Sequence, residues 1–185
     1  MFDNLIDPTI GAADGGGPGR VELASRPETL AGLRLGLLAN PKRNAEQFLD
    51  QVARLLAEQH GVKPVLARMK RDITDTAPAQ ILDDLRNQCD VVVTGVGDCG
   101  SCSASAVADG LLLEQAGIPA AVICSDAFRV SADAMAGLRG APGYRYVTTP
   151  HPVANLSPDG VRDRAAAALP AVVGLLTRPG AAAPS

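Results

Sequence analysis

Short apolar runs of strand length alternate along this chain with segments whose apolar residues recur at helical spacing, and that alternation limits the fold more than any other property. Residues 33–39 form the first run. Phe48, Val52, Leu55 and Leu56 then mark one face of a helix over residues 44–59 by their i, i+4, i+7, i+8 spacing. A strand over 62–67 precedes a helix over 79–87. Residues 90–94 put β-branched side chains on both faces, as a strand covered from both sides requires. Helix 103–115, strand 118–123, helix 126–138 and strand 144–148 follow. The last helix, 158–176, is entered through Ser157 as N-cap with Pro158 at its first position, and a bend is expected at Pro170.

Strict alternation of strand and helix implies parallel pairing with right-handed crossovers, and so helices on both faces of the sheet. The expected fold is a three-layer, doubly wound, mainly parallel five-stranded α/β sandwich, flavodoxin-like or similar, with strand order 2-1-3-4-5. It would occupy residues 31–178, between an irregular arm over 1–30 and a disordered tail over 179–185. The run Gly11 to Gly19 is too rich in glycine for a regular element. It lacks the Gly-Lys-Ser/Thr ending of a phosphate loop and follows no strand.

A chain of 185 residues suits one domain of ordinary size. No run approaches the roughly 20 apolar residues of a membrane span, and the start has no secretion-signal pattern, so a cytoplasmic location without membrane association is expected. Net charge −3, no Trp, two Tyr and three Phe disfavour nucleic acid, which needs a basic footprint and stacking aromatics. The expected partners are a small-molecule substrate and a thiol reductant, with a homo-oligomer left open and no cofactor expected.

In doubly wound sheets ligands bind beyond the carboxyl ends of the strands. Three of the four cysteines, Cys99, Cys102 and Cys124, fall on that edge together with His151, whereas Cys89 lies at the opposite end. In a reducing compartment such cysteines are buried, catalytic or metal-binding in preference to forming a disulfide framework. Cys99-Gly-Ser-Cys102 sits on a glycine turn from strand into helix, so the free amides of the helix's first turn favour an anion there. A thiolate in that position with a second thiol three residues on has the logic of a redox pair. Metal ligation and inert burial are the alternatives. Asp98 raises the pKa of a neighbouring thiol unless its carboxylate is turned away or serves as a proton acceptor. Thr94, Gly95, Gly97, Gly100, Ser101 and Ser103 from the same turn are candidates to line a substrate site.

The run from Asp90 to Ser105, with Thr-Gly-Val-Gly-Asp-Cys-Gly-Ser-Cys at its centre, resembles the UGSC family of small (seleno)proteins, named for a selenocysteine-Gly-Ser-Cys motif. Asp7-Pro-Thr, Leu37 to Asn44, Glu114 to Pro119, Phe128 and His151-Pro152 are similar to that family too, so the resemblance spans nearly the whole chain. It implies that Cys99 stands where relatives use selenium, an element recruited for nucleophilic or redox work.

Other edge residues complete the picture. Cys124 continues an apolar strand and reads first as core; three thiols with His151 would otherwise make a zinc set, which a doubly wound core does not need as a staple. His151, held between Pro150 and Pro152, is a candidate acid/base. His60, before Gly61, suits a helix C-terminus. Asn40 and Lys42 are candidates to bind an oxyanion or a substrate carboxylate or phosphate. Asn44 and Asp126 read either as substrate contacts or as N-caps, and Ser125 as an N-cap; Asp7 is a candidate lid. The leading expectation is a thiol-dependent enzyme acting on a small anionic organic substrate, with Cys99 as nucleophile or redox centre, Cys102 as resolving thiol and His151 as acid/base. The rivals are a non-redox cysteine-nucleophile lyase or transferase, and a non-catalytic FMN-, phosphate- or zinc-binding module.

Overall fold

The computed structural model describes residues 21–178. The Gly11 to Gly19 run, Asp7 and the tail over 179–185 lie outside the described residues. Strands β1 (Arg34–Ala39), β2 (Lys63–Met69), β3 (Val91–Gly97), β4 (Ala120–Ser125) and β5 (Val147–Thr149) form one parallel sheet in the order β2-β1-β3-β4-β5. Helices α1 (Ala45–His60) and α5 (Pro158–Leu176) cover one face. Helices α2 (Ala79–Gln88), α3 (Gly100–Gln115) and α4 (Arg129–Leu138) cover the other. The architecture is the three-layer α/β arrangement expected from the alternation.

The period of two along the strands divides the core between the layers. Leu35, Leu37, Val91, Val93, Ala121 and Ile123 join α1 and α5, while Leu38, Val92 and Val122 face the opposite helices. Phe48 of α1 is fully buried in the first layer; its removal to Ala would cost about 3–5 kcal/mol. Gly61 ends α1 in the left-handed conformation, its N–H bonded to the Ala57 carbonyl. Ser157 caps α5 through Gly160 N–H with Pro158 in the first turn, and α5 is a single element to Leu176 with Pro170 inside it.

Several boundaries differ from the sequence reading, and three of them shape the site. β3 runs on through Gly95 and Gly97, which were expected in a loop, and α3 starts at Gly100, not Ser103. The reason is close packing: a Cβ on Gly97 would lie 2.6 Å from the Ser103 Cα, and one on Gly95, at φ +149°, would lie 2.7 Å from the Ile123 carbonyl oxygen. Residues 126–128 form a 3-10 turn ahead of α4. β5 begins at Val147, because residues 140–144 turn back on themselves through the Tyr144 N–H to Ala141 carbonyl bond.

Residues 21–30 contain no helix or strand, yet they are fastened down. Arg26 grips both carboxylate oxygens of buried Glu114 at 2.6 and 2.7 Å and donates to the Leu175 carbonyl. Glu114 lies in the last turn of α3, so this anchor is at the amino edge of the sheet, as is a cavity of about 540 Å³ bounded by Val21, Tyr144 and Leu175. No helix among the described residues is long and apolar enough to cross a membrane.

Candidate functional site

β1 and β3 are neighbours whose chains wind away in opposite directions, to β2 and to β4, which makes their carboxyl ends the switch point of the sheet. The loops leaving them meet there. Asn40 is buried, its N–H bonded to the Gly95 carbonyl at 2.6 Å and its side-chain amide donating to the Val96 and Cys102 carbonyls. It therefore stitches the end of β1 to the turn that carries the cysteines, and its Oδ1 is buried without a partner among the described residues.

Cys99 is itself the N-cap of α3. Its sulfur accepts the Cys102 N–H at 3.3 Å, and the Ser101 hydroxyl stands 3.6 Å away. The second sulfur lies at disulfide distance, with the two Cα atoms 5.3 Å apart, inside the range a disulfide spans. The two thiols differ in access: Cys99 is half-buried and reachable, whereas Cys102 is 0% exposed. An incoming reagent therefore meets Cys99 first.

Asp98 is turned away from this pair. Its Oδ1 accepts from His151 Nδ1 at 2.9 Å, and its Oδ2 accepts the Val153 and Ala154 N–H groups at 2.9 Å each. Burial alone would raise this carboxyl, but the Ala154, Val153, Ser125 and His151 hydrogen bonds outweigh it and hold it below the usual carboxylate range. An ionised Asp98 accepting at Nδ1 fixes the neutral imidazole as the Nδ1–H tautomer, which leaves the lone pair on Nε2. The His151 side chain is 38% exposed, and Phe128 packs edge-on against its ring at 5.2 Å. Ser125, buried at the end of β4, bonds the Gly97 carbonyl and stands 3.4 Å from Nδ1.

The remaining candidates separate by position. Ser101 is exposed and Gly100 half-exposed at the first turn of α3, and Lys42 is half-buried on the loop after β1. Thr94, Gly95 and Gly97 are enclosed within β3, with the Thr94 hydroxyl donating to the Leu38 carbonyl. Ser103 is fully buried against Gly97. Asn44 occupies the N-cap position of α1 at φ +67° but makes no capping bond; its amide reaches the Val153, Ala154 and Leu156 carbonyls instead. Asp126 accepts the His151 N–H, and neither it nor Ser125 caps α4. Cys124 is buried in the α3/α4 layer, and burial pushes its thiol up to about 12. Among the described residues no group of three His, Cys, Asp or Glu stands close enough to hold a metal ion.

With this geometry in view, the sequence model of the UGSC family matches residues 4–178, nearly the whole chain. The chain belongs to the UGSC family. No curated protein matches it. In this UGSC-family chain, sequence reasoning offers Ser125 only as an N-cap and misses its place beside the imidazole. The buried Lys70–Asp109 pair, 2.6 Å apart with Ser105 and the Asp75 carbonyl completing the lysine's bonds, gave no local signal, because its members come from the end of β2 and the middle of α3.

Proposed function

We propose that this UGSC-family chain is a thiol-dependent enzyme for a small, anionic organic substrate, with Cys99 as nucleophile or redox centre, Cys102 as resolving thiol and His151 as acid/base. The observation that carries the reading is the asymmetry of the pair: a reachable sulfur capping a 16-residue helix, with a fully buried sulfur at bonding distance behind it. Free amides of Gly100 and Ser101, with Lys42, supply the attraction for an anion.

For a disulfide substrate R–S–S–R′, His151 Nε2 takes the Cys99 proton and the thiolate attacks one sulfur. The Cys99–S–S–R bond forms, the substrate S–S bond breaks, and the departing R′S⁻ takes the proton back from the imidazolium. Cys102, deprotonated in turn, attacks the Cys99 sulfur and releases RS⁻, which is then protonated. Two electrons pass to the substrate, and a dithiol or two small thiols restore the pair. A reducing cytoplasm fits this cycle.

The Asp98–His151 pair favours one further reading, non-redox addition–elimination at Cys99, in which Cys102 only supports. Peptide mass spectrometry of the native protein with and without oxidised glutathione tests the redox cycle. A loss of two hydrogens confined to the Cys99–Cys102 peptide, and a mixed disulfide trapped on Cys99 in Cys102→Ser, support it. An unaltered pair, with activity surviving in Cys102→Ser, favours the one-thiol reaction.

A further inference from the structure

We infer that Asn44 is a positioning residue for the imidazole of His151, an inference that rests on the reading of His151 as the acid/base group. The segment after β5 carries no helix or strand, and beyond one internal turn, closed by the Leu156 N–H on the Val153 carbonyl at 3.2 Å, its peptide groups need partners outside it. Side chains from separate parts of the fold supply them. Arg164 of α5 donates to the Pro150 carbonyl, Asp126 accepts the His151 N–H, and Asp98 accepts the next two N–H groups. Asn44 supplies the opposite half: its amide donates to the Val153, Ala154 and Leu156 carbonyls at 3.0, 3.2 and 2.9 Å. Residues 153 and 154 are thus held by their N–H groups from the β3–α3 turn and by their carbonyls from the loop after β1.

Two features set Asn44 apart from an ordinary helix cap. It sits where a cap belongs, yet its side chain leaves the first-turn amides of α1 alone. It also adopts φ +67°, a conformation asparagine tolerates better than most residues, and this backbone turn accompanies an amide aimed across to the histidine segment. The place requires a donor, since a carboxylate there would face three carbonyl oxygens. With both halves of the grip in place, residues 153 and 154 cannot shift against Asp98, and the Nδ1 bond that fixes the tautomer is preserved.

The test uses the full chain labelled with ¹⁵N. It contains two histidines, so a His60→Gln variant assigns the His151 signals. Asn44→Gly removes the amide while accepting the positive φ without strain. Long-range ¹H–¹⁵N correlation should show wild-type His151 as the Nδ1–H tautomer, and in Asn44→Gly a rise of about fivefold in the minor Nε2–H form. Faster exchange of the Val153 and Ala154 amides, by a similar factor, should accompany it. An unchanged tautomer ratio with only a lower melting temperature overturns the inference. If Asn44→Gly does not fold, Asn44→Ser, which keeps one donor, is judged by the same two signals. The acid/base reading is judged separately: His151→Ala that leaves turnover and Cys99 alkylation unaltered removes it, while the tautomer signal still decides the part played by Asn44.

Discussion

Asp98 and His151, 53 positions apart in the chain, meet through a 2.9 Å bond between Oδ1 and Nδ1, and the same carboxylate holds the two backbone N–H groups that follow Pro152. One group therefore orients the ring and fixes the segment bearing it. Asp98 directly precedes Cys99, so any shift of the β3–α3 turn moves the thiol pair and the imidazole together.

Because hydrogen bonding keeps Asp98 ionised below its unfolded value of about 3.9, its contribution to stability is fully present above that value and is lost as pH falls through the lower folded one. Asp98→Asn should remove this component. With the amide oxygen kept on Val153 and Ala154, the amide NH₂ faces Nδ1 and forces the Nε2–H tautomer. The expected cost is about 2 kcal/mol at neutral pH, with any His151-dependent turnover down on the order of 100-fold. Urea titrations at pH 7, 5 and 3 check it: the gap between wild type and variant should narrow toward the lowest pH, and a constant gap would contradict the assignment.

Gly97→Ala should disturb the Cys99–Cys102 pair without touching either of its sulfurs. The new Cβ would fall 2.6 Å from the Ser103 Cα and 3.0 Å from the Cys124 sulfur, so α3 must lift from β3 at the turn that carries Cys99 and Cys102. A loss of about 1–3 kcal/mol is expected, with an altered rate of Cys99 alkylation. Gly137→Ala, where a Cβ meets nothing within 4 Å, is the control and should be neutral or stabilising. Equal melting temperatures for Gly97→Ala and wild type would show that the contact is not tight.

The layers were legible in the sequence because a strand buried from both sides, such as Val91 to Val93, and a helix with one apolar face, such as α1, announce themselves within a few residues, whereas the strand order is the common one of doubly wound sheets. The carboxyl-edge position of Cys99 and His151 followed from topology. What was not legible arises from contacts distant in sequence. Asn44 reads locally as a cap, and only the folded chain brings residues 153–156 within its reach. Gly97 reads as loop until Ser103 is seen packed against it. Lys70 directly follows a strand, and nothing local shows that the fold leaves it 3% exposed against Asp109.

That buried pair should matter for the loop after β2. Lys70 Nζ bonds Asp109, Ser105 and the Asp75 carbonyl, Asp109 also accepts the Ala77 N–H, and the Ser105 hydroxyl donates to the Asp75 carbonyl at 2.6 Å, so residues 75–77 are tied to α3 through these three side chains. Lys70→Met strands a carboxylate that burial already pushes upward in pKa and should cost roughly 3–5 kcal/mol, with faster proteolysis within residues 71–78. The double variant Lys70→Met/Asp109→Leu should recover part of that loss. Proteolysis unchanged in Lys70→Met would show that the loop is held by other means.

Thiol labelling offers the most direct reading of the four cysteines. Cys124 is 0% exposed with its thiol pushed up to about 12, and Cys89 is buried against Gly36 with its thiol also raised by burial. Neither carries appreciable thiolate at pH 8, and neither can be reached without opening the core. After reduction, iodoacetamide at pH 8 should modify Cys99 first, and Cys89 and Cys124 only once urea unfolds the chain. Within the pair, alkylation of Cys99 should outpace that of Cys102 by at least about tenfold, since the buried sulfur must emerge from the first turn of α3 to react. Comparable native-state labelling of Cys124 and Cys99, read by peptide mass spectrometry, would show that the separation into one reactive edge and two inert core thiols is wrong.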